Sequence, residues 1–441
     1  MSEKTNNKKK YKAIDLFAGI GGIRLGFVQA FGDRIKFVYA NEIDEFCCET
    51  YQANFGENPQ GDITEVDAGE IPDFNILLGG FPCQAFSIAG EKRGFNDTRG
   101  TLFFHIAKIL KEKKPEAFLL ENVKHLKNHD RGRTFQVIKD VLTEDLNYFI
   151  HTKVLNAKNF GVPQNRERIF IVGFRKNLKF EFPEPTNEDV KIDDILQDEV
   201  EDSYYLSHQY LEGLKEHRAR HEAKGHGFGY EVIPRDGIAN ALVCGGMGRE
   251  RNLVKDEVLP NAWEEEGDDI QLRNEEGLRK MTPREWARLQ GFPDSFEFPV
   301  SMTQSYKQLG NSIAVPVIKA IAEKMKEALD EHLVIEPPDL NEKEKKLLKL
   351  LEKMYSRKEF TKTGVKYIST IQNFVENYYL RISNVKELIH VMERYQIAKK
   401  INDSQIKFSR KINDAPSKEV FLRRVKEKFK SDSQLSIVKF N

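Results

Sequence analysis

KAIDLFAGIGGIRLGFVQAF, residues 12–31, joins an apolar run to a glycine-rich turn and then to an amphipathic stretch. Lys12 to Leu16 reads as a short buried strand, FAGIGG (Phe17–Gly22) as a tight turn, and Ile23 to Phe31 as a helix. The pattern then repeats outward. Phe37–Ala40 is a second strand ending at Asn41-Glu42, Ile76–Leu78 a third, and Ala117–Leu120 a fourth ending at Glu121-Asn122. Helical stretches such as Thr101–Lys113 lie between them. This alternation predicts βαβ units and an α/β fold with a mostly parallel sheet, in which ligands gather beyond the carboxyl ends of the strands.

Val154–Leu155 and Ile169–Phe174 extend the strand pattern, and after Arg175 the character changes. Residues 179–278 read as a second domain of loops and short strands, with an acidic insert, EEEGDDIQLRNEE. Helical periodicity returns at Met281–Leu289, behind the cap Thr282-Pro283, and at Ala314–Leu329. Glu336-Pro337-Pro338-Asp339 reads as a linker. Beyond it LNEKEKKLLKLLEKM and VKELIHVMERYQIAKK read as helices of a separate module, residues 336–441. No internal repeat is present.

A chain of 441 residues with 39% apolar residues can build two or three cored domains. No apolar run approaches the roughly 18 residues that would cross a bilayer, and the first ten residues lack an apolar signal core. The cysteines Cys47, Cys48, Cys83 and Cys244 form neither a metal-ligand spacing nor a disulfide framework, so a cytoplasmic setting and no metal are expected. The net charge of zero hides an asymmetry. Residues 336–441 carry 24 Lys/Arg against 14 Asp/Glu, and residues 1–335 carry 45 against 55. The basic end suits either an anionic partner such as nucleic acid or a solvated helical face.

Several residues on this frame could carry chemistry. The turn FAGIGG lets backbone approach a nucleoside-like ligand, and Glu42, ending the next strand, is placed to bind ribose hydroxyls; a plain strand-to-helix turn would look the same. Cys83 in GGFPCQAFSIAG follows a strand. It is either a small buried filler or a nucleophile in a loop shaped by Pro82 and glycines. A nucleophilic thiol needs cationic neighbours, and QNRER supplies Arg166 and Arg168. Two arginines at i, i+2 of a strand would face one pocket, or line a salt-bridged edge. Glu121 is a helix-capping carboxylate or a catalyst.

Taken in order, FAGIGG, NEID, GDI, GFPCQAFS, ENV, QNRER, RKMTPREWARLQGFPDSF and QLGNSIAVPV resemble the DNA (cytosine-5)-methyltransferases of bacterial type II restriction-modification systems. The resemblance spans residues 11–330 apart from the variable stretch. It implies a Rossmann-like S-adenosylmethionine-dependent methyltransferase domain (1–178, completed by 279–330). A smaller irregular target-recognition domain (179–278) and a basic, mainly helical extension (336–441) would follow. It assigns Cys83 to attack on C6 of a flipped cytosine, Glu121 to the ring nitrogen, and Arg168 with Arg166 to the base's carbonyl oxygen and nearby backbone. Phe17, Gly19, Gly21, Glu42, Asp62, Ile63, Leu102, Asn311 and Ser312 match cofactor positions. Gln84 and Ser87 match the loop that meets the DNA backbone.

Within residues 226–252, Arg235, Asp236, Arg249 and Arg251 are candidates for guanine readout or phosphate contact. The family usually has Thr-Leu where this chain has Ala241-Leu242, which removes a phosphate-contacting hydroxyl. The implied partners are double-stranded DNA and a cognate restriction endonuclease, with no membrane and a monomeric enzyme. Two alternatives are a tRNA cytosine-5 methyltransferase, whose Cys-Phe-Thr signature is absent, and a non-catalytic DNA-binding regulator. For the extension, an accessory DNA-contacting role is favoured over partner binding or simple packing.

Overall fold

The computed structural model describes residues 9–82, 102–186, 188–225, 229–245, 248–256 and 274–331. It also describes the strands Val365–Tyr367, Ala398–Asn402 and Gln405–Phe408. Cys83, Gln84 and Ser87 lie outside the described residues, as does the expected helix LNEKEKKLLKLLEKM. The chain forms two compact units, residues 1–139 with 148–333 and residues 140–147 with 334–441.

The first unit is built on six strands: β1 (Tyr11–Leu16), β2 (Ile35–Asn41), β3 (Ile76–Gly80), β4 (Ala117–Val123), β5 (Phe149–Asn156) and β7 (Glu167–Phe174). A two-residue β6 (Gln164–Asn165) precedes β7. The sheet order is β2-β1-β3-β4-β7-β5. The first four strands are parallel, and β7 runs antiparallel between β4 and β5. Its reversal carries the start of β7 to the carboxyl edge of the parallel strands: Arg168 faces Val123, and Phe170 faces Glu121.

Helices α1 (Gly22–Phe31), α2 (Glu45–Phe55), α3 (Leu102–Lys113), α4 (Arg133–Asp140), α5 (His208–Glu222), α6 (Pro283–Leu289), α7 (Met302–Asn311) and α8 (Val315–Glu331) complete the described elements, with short strands β8 (Ala239–Asn240), β9 (Leu253–Lys255) and β10 (Leu278–Lys280). Helix α8 packs on α1 so closely that a Cβ on Gly26 would meet Ile318 Cβ at 2.7 Å. Phe27, Ile318, Ile321 and Met325 are fully buried there. Each such side chain contributes roughly 1.5–3 kcal/mol of burial.

The region 179–278 is more regular than its sequence suggests, because α5 runs for 15 residues from the cap Ser207. It buries only Leu211 and Leu214, which leaves a weak apolar period. Thr282 caps α6 in a reciprocal box with Glu285, whose carboxylate also pairs with the fully buried Arg279 at 2.8 Å. In the second unit, Val365–Tyr367 (β11), Ala398–Asn402 (β12) and Gln405–Phe408 (β13) form an antiparallel sheet. Ala398 to Lys400, read from sequence as the end of a helix, are therefore strand. Ala398–Asn402 pairs antiparallel with Gln405–Phe408.

One residue in the central sheet stands out chemically. Asp15 in β1 is 1% exposed, and neither carboxyl oxygen has a hydrogen-bond partner. Burial pushes its pKa up to about 8, with Arg24 opposing and Glu42 reinforcing the shift. Because this value lies above the ~3.9 of an unfolded chain, folding favours the protonated acid. The group's stabilising contribution is full below pH ~4 and is lost as pH rises toward about 8. The loss is about 1.4 kcal/mol per pH unit. Asp15→Asn, which preserves the neutral shape, is expected to flatten the decline of unfolding free energy between pH 5 and 8 in urea titrations; identical slopes in the two proteins would contradict this.

Candidate active site

At the end of β1 the chain turns through three left-handed residues, Phe17 (φ 54°), Gly19 (φ 53°) and Gly21 (φ 82°). A phenylalanine in that region is strained and persists only where surrounding structure enforces it. Here Ala18 N donates to Asn41 O at 3.1 Å and Gly21 N to Ala18 O at 2.8 Å, so the end of β2 sets the turn. Glu42 completes it. One carboxylate oxygen accepts from Gly19 N (2.7 Å), and the other from Ile43 N (2.8 Å) and Asp44 N (2.9 Å). A Cβ on Gly19 would meet nothing within 4 Å, so the turn opens onto free space beside the pinned carboxylate.

Residues distant in sequence close around that turn. Glu42 N donates to Pro59 O and Gly61 N to Glu42 O, both at 2.8 Å, which draws Asp62 and the buried Ile63 alongside. Asp62 accepts from Thr64 N and Oγ1, each at 2.8 Å, and the Thr64 amide bond holds its carboxyl below the usual range. Helix α7 is tied to α2 by Lys307 on Asp44 (2.7 Å) and by Gln308 Nε2 on Phe46 O (2.8 Å). It thereby delivers Ser312, whose Oγ would lie 2.9 Å from a Cβ on Gly22. Asn311 Oδ1 accepts from Cys244 Sγ at 2.9 Å. Leu102 is half-buried at the first turn of α3.

A second cluster sits at the ends of β3, β4 and β7. Glu121 pairs in register with Gly80 and takes an ion pair from Arg168, Nε to Oε1 at 3.0 Å, with side chains 14% and 17% exposed. Burial raises the Glu121 pKa, opposed by Arg168 and then Arg166. Asn122, which sequence reading left without a role, donates from Nδ2 to Phe81 O at 2.8 Å in a buried bond. That bond fixes the chain two residues before Cys83. The only sequence signal for Asn122 was its place in ENV.

Arg166 and Arg168 take different partners, because Arg166 lies between β6 and β7 rather than within one continuous strand. The Arg166 guanidinium is buried. Its Nη1 donates to Leu242 O (2.7 Å), and its Nη2 to Gly310 O (3.0 Å) and to Ser312 O. Desolvation lowers its pKa to about 9, with Arg168 adding to the effect and Glu121 opposing it. In the variable region, Arg235 is held by Asp193, by Asp256 Oδ1 at 2.9 Å and by Lys255 O at 3.2 Å. The Arg249 guanidinium lies 5.3 Å from the Tyr306 ring centroid, while Arg251 and Asp236 are exposed. Among the described residues no group of three His, Cys, Asp or Glu could hold a metal ion, and no helix is long and apolar enough to cross a membrane.

Comparison with known proteins adds identity to this geometry. The type II methyltransferase M.HpaII of Haemophilus parainfluenzae is 55% identical over 331 residues, 74% of this chain and 91% of that protein. M1.ScrFI of Lactococcus lactis subsp. cremoris is 50% identical over 328 residues, 73% of this chain and 79% of that protein. The fold is shared with the Entamoeba histolytica methyltransferase EhMeth, at 20% identity and TM-score 0.56, covering 73% of this chain and 99% of that one. It is shared equally with S. pombe Dnmt2 methyltransferase, at 22% identity and TM-score 0.56 with the same coverage. The C-5 cytosine-specific DNA methylase family matches residues 11–327. The chain therefore belongs to that family, and is a sequence-specific DNA cytosine methyltransferase that uses S-adenosylmethionine as methyl donor.

Proposed function

We propose that the Glu121–Arg168 pair, at the strand ends beside the approach to Cys83, is the reaction centre for a flipped cytosine. The observation that carries this reading is the 3.0 Å ion pair between a carboxyl of raised pKa and Arg168, whose Nη1 is anchored on Glu167 O at 2.9 Å. Cytosine C5 is a poor nucleophile. The Cys83 thiolate adds to C6, forming a C6–S bond, and the C5–C6 π pair moves to C5 while Glu121 supplies a proton or strong hydrogen bond to N3. Arg168 holds the base's carbonyl oxygen and keeps the Glu121 carboxyl oriented. S-adenosylmethionine, when bound, supplies an electrophilic methyl group. C5 would take that methyl, with the broken S–C pair remaining on the donor sulfur as the thioether S-adenosylhomocysteine; a base then removes the C5 proton, and the electron pair expels the Cys83 thiolate.

The cofactor residues fit this group. The free space over Gly19 admits a ligand, and Glu42 is pinned by three backbone N–H groups yet keeps acceptor capacity for ribose hydroxyls. Phe17, Gly21, Asp62, Ile63, Leu102, Asn311 and Ser312 line or shape the same place. Gln84 and Ser87, next to Cys83 in sequence, act on the DNA backbone.

Residues 179–278 serve as the target-recognition domain. Arg249 and Arg251 suit base or phosphate contact, whereas Arg235 must first exchange its two carboxylates. The relatives at 50–55% identity are named type II methyltransferases, which favours DNA over a tRNA substrate and supports a cognate restriction endonuclease as functional partner. We assign a monomeric enzyme acting in the cytoplasm.

Glu121→Gln is expected to lower kcat at least about 100-fold, the usual contribution of a positioned acid. Its affinity for S-adenosylhomocysteine, measured by calorimetry, should stay within about threefold of the parent; undiminished methyl transfer would remove Glu121 from the chemistry. The basic extension adds phosphate contacts. The family model matches residues 11–327, so a chain ending at residue 335 retains the shared core. Its log–log salt dependence of DNA affinity should be shallower by about 0.9 per lost contact. An unchanged slope would refute DNA contact by residues 336–441.

A further inference from the structure

Among the described residues, the recognition region meets the cofactor-closing segment along residues 242–244. Residues 163–166 and 239–242 run side by side: Gln164 pairs with Ala239 and Asn165 with Asn240, and Ala239 N donates to Pro163 O at 2.8 Å. Gln164 then reads both sides of the seam. Its Oε1 accepts from Leu242 N (3.1 Å), and its Nε2 donates to Leu289 O at the end of α6 (2.9 Å). Arg166 does the same with charge, one guanidinium serving Leu242 O on one side and Gly310 O and Ser312 O on the other. The backbones touch as well, since a Cβ on Gly310 would lie 2.7 Å from Cys244 N and 2.9 Å from Val243 C. The Cys244 thiol caps the contact by donating to Asn311.

Three features make this seam more than packing. A guanidinium 2% exposed is costly to bury, and among the described residues this one is met by three carbonyl oxygens, with Nε left unpaired. The planar fork satisfies carbonyls from both segments at once, so separating the segments strands a buried charge. On the far side, Ser312 abuts Gly22 at the start of α1, one residue beyond the glycine turn. On the near side, Arg249 follows the same recognition segment and stacks on Tyr306 of α7. Two residues along the chain from Arg166, Arg168 holds Glu121.

We propose that Arg166, with Gln164, is a positioning latch coupling DNA recognition by residues 239–251 to cofactor binding by Asn311–Ser312 and the glycine turn. This rests on the reading of 179–278 as the target-recognition domain. A duplex seated on the recognition segment fixes Leu242 to Cys244. Through Arg166 that fixes Gly310 to Ser312, so either ligand prepays part of the ordering that the other requires. By linkage the effect is reciprocal: the duplex raises cofactor affinity by the same factor as cofactor raises duplex affinity.

The test uses the full-length protein, S-adenosylhomocysteine, which has no methyl to transfer, and a duplex carrying the mapped methylation site. Four dissociation constants, each ligand alone and with the other saturating, give one coupling factor. The parent protein should show a factor of at least about five, equal in both directions. Arg166→Lys, whose single ammonium cannot fork across three carbonyls, should lower it at least about threefold. Gly310→Ala attacks the seam from the other side without changing charge and should act likewise, so a drop in either folded variant supports the latch.

General loosening would weaken each ligand alone and leave the ratio intact. A parent factor near one, or parent-like factors in both variants, would overturn the latch while methylation continues. Failure of the parent to bind S-adenosylhomocysteine or to methylate the duplex would instead overturn the underlying functional reading.

Discussion

The ion pair between Glu121 and Arg168 is the contact on which the site depends, and it exists because one strand runs the wrong way. In an all-parallel sheet the start of β7 would lie at the opposite edge from the end of β4. Insertion of β7 antiparallel brings Arg168 beside Val123 and within 3.0 Å of Glu121. The pair is largely desolvated. Burial favours the neutral acid and outweighs Arg168, which favours the carboxylate, so the Glu121 pKa stands above the ordinary carboxylate range. A group asked to give a proton to a ring nitrogen and later recover it needs that shift.

Around this pair the fold divides its labour between strand ends. The ends of β1 and β2 make a strained turn and a carboxylate fixed by backbone amides. The end of β3 carries the approach to Cys83, held by Asn122. The last helices return to cover the turn, with α7 fastened to α2 by Lys307 and Gln308 and α8 packed on α1. Because the closing segment comes from residues 311–312 while the turn comes from residues 17–22, the recognition region lies between them in sequence, and Arg166 joins it to the closing segment, whose Ser312 abuts Gly22. Buried polar groups recur at these junctions, as Asp15, Arg166 and Arg279 show.

Much of this was legible in the sequence, and the exceptions have physical reasons. The strands were readable as short apolar runs, and Glu42, Glu121 and Arg168 stood at their ends. The direction of β7 was not, because a strand buried on both faces carries the same apolar pattern whichever way it runs. Helices α2, α5 and α7 escaped notice since each buries only two apolar side chains and begins at a single cap, Asp44, Ser207 or Ser301. Arg166 and Arg168 read as a pair facing one pocket or lining a salt-bridged edge, but the strand interruption at Arg166 sends one guanidinium to Glu121 and the other to carbonyls from segments 76 and 144 residues away. No local pattern encodes such a meeting.

The central claim is that a thiolate two residues beyond Phe81 attacks a base held by Glu121 and Arg168. It is tested most directly by a duplex with 5-fluorocytosine at the target position, incubated with the protein and S-adenosylmethionine, then digested and mapped by mass spectrometry. Fluorine at C5 cannot leave as a proton, so the ring cannot regenerate and the C6–S bond persists. The account predicts a stable adduct of methylated base on the peptide containing Cys83. Methylation of the ordinary duplex with no adduct on the fluorinated one, or an adduct on any other residue, would contradict it.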